Sequence, residues 1–101
     1  MPEIKIDIEH HIGREEAIKR LENFTIEAKT VYSSQLSNVN IEWNGARSNF
    51  SFTYAKMAIK GSINVDNSTV AIHGKIPFAL FLFKDKIISE ITKHGKQMLV
   101  K

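Results

Sequence analysis

The residues with the means to do chemistry in this chain are its four histidines, at positions 10, 11, 73 and 94, and its carboxylates, of which Glu15 and Glu16 are adjacent. Histidine serves as a general base or a metal ligand only where it converges with a second histidine or a carboxylate. The local patterns oppose convergence. His10 and His11 are neighbours near the end of an alternating stretch and point apart, His73 falls on the polar alternate of a strand, and His94 lies beside Gly95 in a helix. All four read as surface or helix-end histidines. Glu15 and Glu16 read as first-turn helix charges, favoured by the positive end of the dipole, rather than as an acid/base pair. The absence of cysteine removes thiolate ligands, cysteine nucleophiles and disulfides together. No glycine-rich phosphate loop or nucleophile elbow is written in the chain. The expectation is therefore a protein that is not an enzyme, uses no cofactor, holds no metal and acts by binding something apolar.

The elements that carry these residues follow from periodicity. Ile4, Ile6 and Ile8 alternate with Lys5, Asp7 and Glu9, a strand with one buried face. Ala17, Leu21, Phe24, Ala28 and Val31, widened by Ile18 and Tyr32, recur at helical spacing, which predicts a core-facing helix to about Ser34. Asn44-Gly45 marks a hairpin, and further turns near Ala55-Lys56 and Asp66-Asn67-Ser68 divide the middle into four strands. After Pro77 come six apolar residues and a lysine-rich helix bearing Ile87, Ile88, Ile91, Met98 and Leu99, interrupted by Gly95, where the last turn is expected to fray or to form a separate piece. At 101 residues, 43% of them apolar and 25% charged, one core and one domain over residues 1–101 are expected. The fold class is α+β, a five-stranded antiparallel sheet in the order β-α-β-β-β-β-α. The first strand joins the far edge beside the fifth, and both helices lie on one face as in a reduced helix-grip arrangement. A parallel pairing of the first two strands through a right-handed crossover is the other topology this order permits.

Two places then stand out as binding candidates. Turn register sets Phe50 opposite Gly61 and Gly61 opposite Gly74, all on the dry face, which leaves a strip without side chains across two strands. A ring or helix packs over such a strip, or it forms the floor of an apolar cavity. The second candidate is Phe78, Leu80, Phe81, Leu82 and Phe83 with Lys84 and Lys86 beside them, an attachment surface for a lipid-like layer. A strand-to-helix connection runs over the surface, so these side chains do not all turn inward. The same run sealing a homodimer is the alternative. From Lys84 onward five lysines face Asp85 and Glu90, an excess equal to the whole-chain net charge of +3. Nucleic acid is not expected as a partner: Phe50, Phe52 and Tyr54 belong to the dry face, and the opposite face offers Asn49, Ser51 and Thr53 with too few basic residues for a phosphate footprint. The start lacks the features of a signal peptide and no stretch spans a bilayer as a helix, which suits the cytoplasm.

The segments Lys5-Ile6-Asp7-Ile8-Glu9-His10, Gly13-Arg14-Glu15-Glu16-Ala17 with Arg20-Leu21, and Phe83-Lys84-Asp85-Lys86-Ile87 with Glu90-Ile91 resemble the polyhydroxyalkanoic acid system family of small bacterial proteins. The resemblance spans nearly the whole chain. It implies association with polyhydroxyalkanoate synthesis or storage and a peripheral place on storage granules, and it implies no reaction.

Overall fold

Alternation decides the first element of the computed structural model, which describes residues 2–101: along β1 (Glu3–Glu9) the three isoleucines are buried and the charged residues between them exposed. Gly13 then turns the chain at a φ of 82°, open to glycine at little cost, and Glu15 and Glu16 occupy the first turn of α1 (Arg14–Val31). This helix ends before the expected Ser34. The meander consists of β2 (Leu36–Asn44), β3 (Arg47–Tyr54), β4 (Met57–Val65) and β5 (Thr69–Lys75). A single helical turn not expected as a separate element, α2 (Phe78–Phe81), precedes α3 (Lys84–Met98).

The sheet has the order β1-β5-β4-β3-β2 with every pair antiparallel, so the fold is the expected α+β class and the parallel crossover does not occur. The register is also the expected one, with Phe50 opposite Gly61 and Gly61 opposite Gly74. One cross-sheet row runs Trp43, Ser48, Ile63, Ile72, Ile6, and the next runs Ile41, Phe50, Gly61, Gly74, Ile4. A bulge between Ser37 and Asn40, with Asn38 at a φ of 54°, resets the alternation of β2 so that Leu36, Val39 and Ile41 all face the same space.

The tightest packing lies toward the β1 and β5 side, where Ile4, Ile6, Ile8, Val70 and Ile76 meet Ala17, Leu21 and Leu99. Gly95 belongs to this packing, which corrects the expectation of a frayed end. The helix runs through it to Met98, and a Cβ at Gly95 would collide with Ile8 Cδ1. Glycine lets α3 lie directly on β1, and the contact outweighs its poor helix propensity. His10 needs a second correction. It is buried: Nε2 donates to the Asp66 carbonyl at 3.0 Å, and Nδ1 accepts from the Ile12 N–H at 3.5 Å. Its ring pins the end of β1 to the β4–β5 turn. His11, His73 and His94 are exposed.

Candidate binding site

Arg20 ties the two long helices together. Its guanidinium donates to the Met98 carbonyl at 3.0 Å and to the Val100 carbonyl, so the first half of α1 is bound to the end of α3. Away from that tie the helices lose contact with the protein interior. On α1, Leu21 is 4% exposed but Phe24 is 40% and Val31 68% exposed; Leu99, which caps α3, is 3% and Ile91 within it 37% exposed. The helical stripe expected to be core is thus core only in its first half, and Thr25 rather than Phe24 is buried at the transition.

The space between the helices and the sheet is an apolar cavity of about 480 Å³. Its floor includes Ile4, Ile72, Phe50 and Gly74; its walls include Phe24, Ala28 and Tyr32 of α1 and Ile87 and Ile91 of α3, and α2 contributes Leu80. Of the three residues expected at the floor, Gly61 is missing, for a reason the geometry gives. The Phe50 ring lies over it, so that a Cβ there would collide with the ring and with the His73 carbonyl oxygen. The ring is held by stacking on Phe52, with centroids 6.1 Å apart. Over Gly74 the nearest atom a Cβ would meet is the Lys60 carbonyl oxygen at 3.9 Å. One glycine is covered by an aromatic ring and its neighbour is left bare.

The polar groups bordering the cavity are turned to other work. Thr25 Oγ accepts from Trp43 Nε1 at 3.3 Å and donates to the Glu22 carbonyl at 2.8 Å. Glu90 and His94, which also line the space, lie 3.7 Å apart with more than half of each side chain in solvent, so the charge sits at the rim. The interior is therefore apolar, and the charged side chains lie at its rim. Among the described residues no three histidine or acidic side chains stand close enough to hold a metal ion.

The connection after β5 divides the second set of candidates. Phe78, Leu82 and Phe83 are exposed, at 77%, 84% and 60%, and Lys84 and Lys86 stand beside them in solvent. Leu80 turns inward to the cavity, and Phe81 is half-buried beneath the Lys84 ammonium, which lies 5.1 Å from the ring centroid. Sequence reasoning did not single out Phe24, Tyr32, Glu90, Ile91 or His94 as lining. Their helical spacing was a signal of an apolar face and not of what covers it. No helix among the described residues is long and apolar enough to cross a membrane.

Residues 4–99 match the model of a family described as "Putative polyhydroxyalkanoic acid system protein". Neither a curated protein nor a solved structure matches the chain.

Proposed function

The chain belongs to the polyhydroxyalkanoic acid system family, and from that premise we propose that it is a non-enzymatic binding protein that takes the hydrocarbon of a small molecule, such as an acyl chain, into the cavity between sheet and helices. The cavity carries this reading. At about 480 Å³ it falls in the range of small-molecule sites, roughly 300–1,000 Å³. A sealed void would destabilise the fold by roughly 24 cal/mol per Å³, on the order of 10 kcal/mol here, comparable to the whole stability of a domain. Such a space persists only because the slot between α1 and α3 admits solvent or an occupant. Each methylene moved from water into it contributes about 0.8 kcal/mol, so a chain of modest length overcomes the cost of immobilisation.

The test uses the bare glycine. In Gly74→Leu the new side chain projects into the cavity with nothing behind its Cβ to resist it. Wild-type protein is expected to bind the fluorescent fatty acid cis-parinarate, and the folded variant to lose that binding. Equal binding by both proteins would place the ligand elsewhere and defeat the reading.

The exposure of Phe78, Leu82 and Phe83 beside Lys84 and Lys86 favours a second reading, attachment to a polyhydroxyalkanoate granule or lipid surface. Full burial of each such side chain is worth about 1.5–3 kcal/mol, and the lysines add attraction to anionic groups within a Debye length. Replacing all three with serine should abolish co-sedimentation with granules while leaving circular dichroism unchanged. A variant that still co-sediments excludes this surface, and a wild-type dimer that becomes monomeric on substitution assigns it to self-association.

A further inference from the structure

The two candidate surfaces meet in one turn of helix. We propose that α2 is a door to the cavity, opened when Phe78, Leu82 and Phe83 enter an anionic lipid surface; this rests on the reading of the cavity as a ligand site. Leu80 lines the cavity from the same turn that presents Phe78 outward, and Leu82 and Phe83 follow it directly. The turn cannot move outward without withdrawing Leu80.

Its tethers are weak in a specific way. The N–H groups of Leu80 and Phe81 bond the Pro77 carbonyl, that of Phe83 bonds the Leu80 carbonyl, and Ile87 closes on Phe83. Among the described residues, every hydrogen bond recorded for 78–83 thus stays within four positions along the chain. The last bond to a distant part of the chain is from the Ile76 N–H to the carbonyl of Pro2, which precedes β1, and it comes just before Pro77, whose ring has no N–H to donate. What holds the segment to the body is apolar packing by Leu80 and Phe81, both only partly buried. Three large, more exposed apolar side chains stand against those two, so a surface that buries the three competes with the body for the segment.

Charge identifies the surface. Lys84, Asp85 and Lys86 open α3, and cations in a first turn are disfavoured by the helix dipole. Anionic headgroups relieve that penalty, and neutral ones do not. Lys84 also rests on the Phe81 ring, so pulling it toward a headgroup loosens one of the two side chains that keep the door shut.

The experiment measures transfer of cis-parinarate from the loaded full chain to phosphatidylglycerol vesicles and to phosphatidylcholine vesicles. The expected transfer rate rises with vesicle concentration, is faster to the anionic vesicles and slows with salt. Phe78→Ser/Leu82→Ser/Phe83→Ser should keep probe affinity, because none of the three lines the cavity, but should transfer at a rate independent of vesicle concentration. Lys84→Gln/Lys86→Gln leaves the apolar residues intact and should weaken association with anionic vesicles roughly thirtyfold, with the same loss of concentration dependence. A wild-type rate independent of vesicle concentration, with binding intact, overturns the door and spares the ligand site. Absence of probe binding overturns both.

Discussion

Gly61 and Gly74 are directly paired on adjacent strands, yet alanine should have opposite effects at the two positions. At Gly74 the added methyl meets only the Lys60 carbonyl oxygen at ordinary contact distance. The backbone there has no positive φ, so the substitution gains about 0.4–1 kcal/mol from the reduced entropy of the unfolded chain. At Gly61 the same methyl collides with a backbone oxygen, which cannot swing away, and with the Phe50 ring, which can do so only by leaving Phe52. Overpacking of this kind destabilises by about 1–3 kcal/mol, and part of the ring's burial is lost with it. The two variants should therefore differ by roughly 2–4 kcal/mol, which for a domain near 100 residues is 10 °C or more in Tm, at about 4–8 °C per kcal/mol. Urea and thermal unfolding followed by the fluorescence of Trp43, the lone tryptophan, measure both. Phe50→Ala should cost less in the Gly61→Ala background than in the wild type, because the two substitutions share one contact and their effects do not add. Equal stability of the two alanine variants would refute the asymmetry on which the cavity floor rests.

Two further outcomes test the packing around the site. Gly95→Ala should change stability by less than about 1 kcal/mol, because the gain in helix propensity offsets the displacement of Ile8 Cδ1, the mobile end of a side chain beside the cavity. In an Ile8→Val background, which lacks that atom, the same substitution should be stabilising in denaturant titrations. Ser48 is buried in the row between Trp43 and Ile63, and its Oγ has no hydrogen-bond partner among the described residues, so Ser48→Ala should be neutral or raise Tm.

The strands were legible because alternation and turn residues act locally. Ile4, Ile6 and Ile8 have one buried face whatever lies above them, and the turns after β2, β3 and β4 set a register that brings Phe50, Gly61 and Gly74 into line. Gly95 was misread because propensity is a property of one helix, whereas the contact that explains the glycine comes from Ile8, far away in the chain. His10 was misread for the same reason, since its partner is a carbonyl in the β4–β5 turn. The site itself shows a deeper limit. Phe24, Ala28 and Tyr32 have the spacing of a core-facing stripe, and that spacing reports only that a helix face avoids water. A protein core and a ligand both satisfy it. The two helices are joined at one end, where Arg20 reaches the carbonyls of Met98 and Val100 and Gly95 seats α3 on β1. At that end Leu21 and Leu99 pack with the isoleucines of β1, and beyond it Phe24, Ala28, Tyr32 and Ile91 border the cavity over Gly74. Cavity and core are thus two ends of one packing arrangement, and the apolar face that sequence assigns to the core is, beyond Thr25, a wall of the cavity.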